Sequence, residues 1–407
     1  MDKSQILVIN SGSSSIKYQL FDMRGPETIA AGMLEKIGMP GSAHRFWTVQ
    51  NGVVGQEILQ ETPIPDHQEG LHQAFLQLER GGVLQDKSQL LGIGHRIVHG
   101  GEYFRAPTLI NDQTQEAIRA TIPLAPLHNP ANLSGIEVAS ELCPDIPQVA
   151  VFDTAFHQSM PERAYLYALP YDWYQSHKVR RYGFHGSSHA FVAKRAAVLL
   201  GKPLESLNLI SLHLGNGCSI TAIEKGKSID TSMGMTPLEG LVMGTRCGDI
   251  DPSIPGYITE QSGISIQDVD LILNKESGLK GLCEVSDMRE VLRLAELGNH
   301  RAVEAFELFC YRIKKYIGAY TAVLGRVDAV IFTGGIGENS VTIRQKVCSG
   351  LEGLGIQLDI TDNQSAQGSE TFIQASGSPV SLLVIPTNEE LEIACQTEAV
   401  LSNRDQN

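Results

Sequence analysis

Ile6–Asp22, ILVINSGSSSIKYQLFD, sets two apolar runs around a knot of small polar residues, Ser11–Ser15. β-Branched and aromatic residues suit a pleated, half-buried surface, so strands are expected near Ile6–Asn10 and Ile16–Phe21. A glycine among serines makes a tight turn, and the same small residues let an anion approach the backbone. The stretch alone leaves both readings open. A second stretch, ISLHLGNGCSITAI at Ile210–Ile223, has the same design: strand, glycine-containing turn, and a return strand with Ser219-Ile220 where the first has Ser15-Ile16. Hairpins resemble one another by chance, and the alternative is a duplicated domain.

A chain of 407 residues has room for two or three domains, each with its own core. Its 42% apolar and 19% charged content is that of a folded globular protein. A formal charge of -14 argues against general nucleic-acid or membrane-surface binding while allowing a local basic pocket for a small anion. Seven cysteines, widely spaced and without CxxC, suggest neither a disulfide framework nor a thiolate zinc site, and a reducing, cytoplasmic setting is expected. The N-terminal apolar run is too short for a signal peptide, and no run approaches membrane-spanning length.

Further strands are expected near Gln148–Phe152, Leu209–His213, Ile220–Glu224, Ala329–Thr333 and Ser381–Pro386. Helical patterns lie between them: Ala131–Leu142, a segment capped by Ser187 or Ser188 and stopped by Gly201, a long amphipathic run after Asn299, and a last helix after Asn388. Alternation of this kind predicts an α/β architecture. A third glycine cluster, VIFTGGIGENS at Val330–Ser340, follows a strand, with a helix expected from Glu338 or Asn339. No GxxxxGK followed by Ser or Thr occurs, which excludes a Walker P-loop, and no acidic ribose partner supports a dinucleotide fold.

Charged side chains stand beside these turns: Arg96 in GIGHRIVHGG, Asp153 in VAVFDTAFH, His185 in RRYGFHGSSH, Arg246 in GTRCGDIDP, and Asp287 with Arg289 in SDMRE. Each has an ordinary structural explanation: strand-end turn former, solvated loop arginine, buried histidine. His185 and His189 lack the glutamate of HExxH, so a zinc site is not expected.

As a set, these segments resemble the acetate kinase family of the actin, sugar kinase and Hsp70-like ATPase superfamily. Ten blocks carry the resemblance in order, from LVINSGSSSIKYQL through GHRIVHGG, PLAPLHNPANL, VFDTAFH, YGFHGSSH, HLGNGCS, DTSMGMTPLEGLVMGTRCGDIDP, SDMR and FTGGIGENS to PTNEELEIA. The chief departure is Ser187, where the family more often has threonine.

The resemblance implies two related α/β domains of the actin-like, ribonuclease H-like type with an active-site cleft between them. It divides the chain into 1–153 with 386–407, the acetate and metal side, and 154–385, the nucleotide and dimerisation side. It implies reversible phosphoryl transfer from ATP to acetate, giving acetyl phosphate and ADP, with Mg²⁺ or Mn²⁺, in a homodimer. Catalytic roles fall to Asp153, His185 and Arg246. Acetate binding falls to Arg96, Val98, Leu127, His128, Phe184 and Pro237. Nucleotide binding falls to Lys17, His213, Leu214, Gly215, Asn216 and Gly217, to Asp287, Met288 and Arg289, and to Gly335, Ile336, Gly337, Glu338 and Asn339. Asn10 and Glu389 are implied at the metal, and Ser11–Ser15 are expected to turn N–H and hydroxyl groups toward phosphate.

Both reactants are anions, so positioned cations and dipoles must offset their repulsion. Acetate is already ionised at neutral pH, since carboxylates titrate near ~4, and direct attack needs no base. Asp153 is therefore expected to orient a cation. A sugar kinase would use an aspartate here as a true base and would need a polar pocket. An Hsp70-like switch would need a separate peptide-binding domain. Propionate kinase is the nearest competing activity.

Overall fold

In the computed structural model, which describes residues 4–404, the opening stretch forms a hairpin of β1 (Gln5–Ser11) and β2 (Ser15–Asp22). It continues antiparallel into β3 (Glu27–Glu35) and β4 (Ala43–Gln50), with β5 (Val53–Val54) and β6 (Ile58–Glu61) paired to β4. On its other edge β1 is joined by β7 (Leu90–Ile97), and β8 (Thr108–Leu109) and β9 (Gln148–Phe152) complete a nine-stranded sheet. β1, β7 and β9 run parallel.

The continuous apolar run of β1 is explained by helices on both faces. Leu7 and Ile9 pack with Leu71, Phe75 and Leu78 of the helix His67–Arg80 and with Val138 and Ala139 of the helix Asn129–Leu142. Ile6 and Val8 pack with Ile393, Ala394 and Leu401 of the last helix, Glu389–Arg404. Each such fully buried Ile or Leu contributes about 1.5–3 kcal/mol. Glycines in β7 set the last helix's approach: a Cβ at Gly92 would lie 2.4 Å from Leu401 Cδ1, and one at Gly94 2.5 Å from Thr397 Oγ1. This first unit runs to Phe156 and resumes at Asn388.

The second unit, His157–Thr387, repeats the topology. β10 (Asn208–Leu214), β11 (Cys218–Glu224) and β12 (Lys227–Thr231) are antiparallel, and β13 (Ala329–Thr333), β14 (Thr371–Phe372) and β15 (Ser381–Val384) complete a six-stranded sheet. The order β12-β11-β10-β13-β15 matches β3-β2-β1-β7-β9, with the same parallel pairs. Counted from the turns, the return strands shift: Ser11 faces Ile16, whereas Leu214 faces Cys218, so Ile16 corresponds to Cys218 rather than Ile220. The helices Gly186–Leu200 and His300–Leu324 pack on β10.

The structure moves three expected helix starts. The helix after His185 begins at Gly186 with His185 as its N-cap, so neither Ser187 nor Ser188 caps it. The third glycine cluster is itself a helix, Gly334–Asn339, because Gly334 takes a φ of 73° and the chain turns a residue after β13. The helix Asn129–Leu142 starts two residues before Ala131, with Pro130 in its first turn, where a missing N–H costs nothing.

Candidate active site

In parallel α/β sheets, functional groups gather at the carboxyl ends of strands. Asn10 lies near the end of β1, Arg96 near that of β7, and Asp153 directly follows β9. Arg96 Nε donates to Asp153 Oδ1 at 3.0 Å and Nη2 to Oδ2 at 2.7 Å, so both carboxylate oxygens are engaged. Asp153 is buried, whereas the Arg96 side chain keeps 23% exposure. Among the described residues the other guanidinium N–H groups have no hydrogen-bond acceptor. Burial works against the Arg96 charge, yet Asp153, Glu389 and Glu390 together strengthen its hold on the proton.

The last helix brings Glu389 to the same end of the sheet. Burial pushes its carboxyl up to about 7, against the pull of Arg96, while Asp153 adds to the rise. Its Oε2 is buried without a hydrogen-bond partner among the described residues. An orphaned carboxylate oxygen of this kind fits a hard cation. The described residues hold no cluster of three or more His, Cys, Asp or Glu suited to a metal.

Two asparagines absent from the expected site build the loop beyond β7. Asn129 Oδ1 accepts from His99 N at 3.1 Å, and its Nδ2 donates to His99 O and Thr121 Oγ1, both at 2.8 Å. Asn132 Oδ1 accepts from Val98 N at 3.0 Å, and its Nδ2 donates to Ser11 O at 2.6 Å. One helix thus ties the Val98 segment to the turn after β1. Their signal was the HNPAN run beside His128, where two buried amides lie one helical turn apart. Ser11 itself departs from expectation. A Cβ at Gly135 would lie 2.3 Å from Ser11 Oγ, so this hydroxyl is turned to the helix Asn129–Leu142 and not toward a ligand. Val98 is half-buried, while Leu127 is 65% exposed and His128 is exposed. Lys17 lies exposed on β2 opposite Asn10.

The second unit places its groups at the matching strand ends. Arg246 and His185 converge on the turn after β10: a Cβ at Gly217 would lie 2.5 Å from Arg246 Nη2 and 3.6 Å from His185 Cε1. Arg246 Nη1 donates to Pro237 O at 2.7 Å, and no carboxylate pairs with it among the described residues. Burial loosens its hold on its proton. A half-buried guanidinium without a counter-ion is a site prepared for an anion. His185 has a φ of 56° and stacks on His213 with centroids 4.2 Å apart. Phe184 is buried, and its carbonyl meets His157 Nε2 at 2.9 Å.

A cavity of about 560 Å³ opens at the same strand ends. Gly215, Asn216, Asp287, Met288, Arg289, Gly335, Ile336 and Asn339 line it, together with Ser286, Leu292 and Ser340, which the sequence reading missed. His213 and Leu214 are buried beneath the turn. Glu338 is committed elsewhere: its Oε1 accepts from Gly334 N at 2.8 Å and Thr387 N at 3.1 Å, so it braces the helix Gly334–Asn339. The Asp287–Arg289 pair caps the helix Met288–Glu296, and hydrogen bonds from Arg289 hold the Asp287 carboxyl down at about 2.

The acetokinase family model matches residues 5–395. The chain belongs to the acetokinase family. The acetate kinase of Nitratidesulfovibrio vulgaris is 53% identical over 401 residues, covering 97% of this chain and 99% of that relative. That of Dictyoglomus turgidum is 51% identical over 403 residues, 98% of each chain. Among solved structures, Porphyromonas gingivalis acetate kinase superposes with a TM-score of 0.93 at 44% identity, over 98% of this acetokinase-family chain and 100% of that one. A propionate kinase from Francisella tularensis gives 0.91 at 44% identity, over 97% and 99%. No helix among the described residues is long and apolar enough to cross a membrane.

Proposed function

We propose that this chain catalyses the reversible transfer of the ATP γ-phosphoryl group to a carboxylate oxygen of acetate, giving acetyl phosphate and ADP. Family membership makes it a phosphotransferase of the acetate kinase type. The contrast between its two arginines carries the assignment of roles: Arg96 bears a bidentate aspartate, and Arg246 bears none.

Arg96 takes the acetate carboxylate through its uncommitted N–H groups, with the methyl against Val98, Leu127, Phe184 and Pro237 and with His128 beside them. Arg246 and His185 donate to the transferring phosphoryl, whose equatorial oxygens gather charge in the transition state. The nucleotide occupies the Met288–Ile336 cavity, its phosphates directed to the Gly215–Gly217 turn, with Lys17 as a further cation. Asp153 keeps Arg96 in place; both its oxygens are engaged, and acetate has no proton to lose. Asn10 and Glu389 would hold Mg²⁺, or Mn²⁺ in its place, and that ion supplies charge neutralisation on the phosphates. Residues 1–153 with 386–407 form the acetate and metal side, and 154–385 the nucleotide and dimerisation side. Homodimeric assembly and a cytoplasmic setting belong to the same proposal and rest on the family.

Propionate is a second acceptor. The solved Francisella tularensis propionate kinase and Porphyromonas gingivalis acetate kinase are equally identical to this chain, at 44%. One methylene in an apolar site discriminates by only ~1–3 kcal/mol. Trapping acyl phosphate as hydroxamate with ATP, Mg²⁺ and acetate, propionate, butyrate or glycerol tests both readings. Acetyl hydroxamate is expected as the main product. No product from any carboxylate refutes the assignment, and propionate exceeding acetate in kcat/KM replaces acetate with propionate.

A further inference from the structure

We infer that Ser219 and His189 hold His185 as the neutral tautomer with its proton on Nε2, so that this ring meets the phosphoryl group as an N–H donor. The inference rests on the placement of His185 at the transferring phosphoryl and names the positioning residues that make it a donor.

Ser219 Oγ stands between two imidazoles, 2.9 Å from His185 Nδ1 and 2.8 Å from His189 Nε2. A hydroxyl has one proton, so it can donate to only one of them, and the other ring must donate to it. His189 is fully buried, and its Nδ1 lies 2.9 Å from Ser211 Oγ. Burial, with His157 and His213 as neighbours, keeps His189 from taking a second proton. A neutral His189 carries one N–H, which leaves two directions for the chain of hydrogen bonds.

In the first, Ser211 donates to His189 Nδ1, His189 Nε2–H donates to Ser219, and Ser219 donates to His185 Nδ1. The remaining His185 proton is then on Nε2. In the second, every bond reverses and His185 Nδ1 carries a proton. His185 Nε2 then either presents a lone pair to a phosphoryl oxygen, which is repulsive, or carries a second proton. The second proton would place an imidazolium beside Arg246, which borders the same point over Gly217 and has no carboxylate to offset it among the described residues. The first direction avoids both costs.

The ring's pose is already set by other contacts. His185 is the N-cap of the helix Gly186–Leu200 in a left-handed conformation, and its ring stacks on His213 at 20°. His213 is anchored in turn by Ser188, whose Oγ lies 2.8 Å from Nδ1. Ser219, bonded at Nδ1, is the outer partner through which the tautomer is set, as for other functional histidines.

Long-range proton–nitrogen spectra of the full chain labelled with ¹⁵N-histidine, with His185 assigned by its loss in His185→Asn, test this directly. The expected result is a protonated Nε2 and a bare Nδ1 on His185. Ser219→Ala is expected to move both His185 nitrogens toward a mixed tautomer and to lower kcat by about tenfold to 10²-fold. That loss falls below the ~10²–10³ expected for losing the donor itself. KM for ATP should stay within about twofold, and Ser219→Thr should restore both signals. A proton on His185 Nδ1 in the unsubstituted protein overturns the inference without any variant. So does a Ser219→Ala protein that loses turnover while its His185 shifts stay in place. The spectra need no turnover, so a failure of the acetate kinase reading would show separately, as absent hydroxamate.

Discussion

Arg96 ends its strand with Asp153 across Nε and Nη2, whereas Arg246 leaves its loop with one backbone carbonyl as partner. Both guanidiniums are partly withdrawn from water, and only the first is compensated for it. A paired arginine is electrically near neutral and serves as a rigid fork for a carboxylate. An unpaired one carries its desolvation cost in the free protein and recovers it when an anion arrives. The difference suits a reaction in which acetate is held while charge builds on phosphorus.

The strongest way to break this contrast is Arg246→Ala. Turnover should fall by ~10²–10³, as for loss of a transition-state donor. The melting temperature should hold or rise, since an uncompensated cation is removed; a clear drop in melting temperature would mean that Arg246 is structural. Asp153→Ala should behave differently. It strands Arg96 and should cost up to about 3 kcal/mol in urea unfolding, the low end for a broken buried pair because Arg96 keeps partial exposure. If Asp153→Asn instead keeps stability but abolishes the pH dependence of kcat, the aspartate is a base and the orienting role is wrong.

A smaller effect is expected from Glu389→Gln, which removes the ionisable carboxyl from the first unit without touching the bidentate pair. The Mg²⁺ concentration for half-maximal rate should rise roughly tenfold, as for other altered metal environments, with little change in KM for acetate. An unchanged Mg²⁺ requirement would remove Glu389 from the metal.

A test that leaves the two arginines aside is pH, to which both are indifferent near neutrality. His44 and His95 in the first unit and His157 in the second are pushed down to about 4 by burial. Their unfolded forms titrate near 6.5, so between 6.5 and 4 the unfolded chain binds more protons. The stability they contribute is complete above about 6.5 and is lost as pH falls toward 4, by roughly 1 kcal/mol per residue per pH unit. Urea titrations at pH 7.5 and 5.5 should show that decline. Equal stability at the two values would mean that these rings charge freely in the folded state.

Legibility differed between fold and site. The two glycine hairpins were visible as apolar runs around small residues, and their topological repeat follows from pairing both with later parallel strands. β3, β4 and β7 lay outside the expected strands, as did the tight approach of the last helix to Gly92 and Gly94. At the site, charged residues beside glycines were conspicuous: Arg96, Asp153, His185 and Arg246. Asn129, Asn132, Ser219 and His189 were not, because amides, hydroxyls and buried histidines are common and acquire roles only through partners distant in sequence. Ser11 shows the reverse error, a residue of the right type turned the wrong way.

The sequence by itself determined the period of the strands and helices expected above, the glycine turns between them, and the inventory of charged residues beside those turns. Those follow from side-chain type and spacing, which act locally. Only the tertiary structure decided which arginine is neutralised and which is not. Arg96 and Asp153 are 57 residues apart and meet because β7 and β9 lie side by side in register. Arg246 has no such neighbour among the described residues. Charge compensation is a matter of a few ångströms in three dimensions, and no spacing along the chain encodes it.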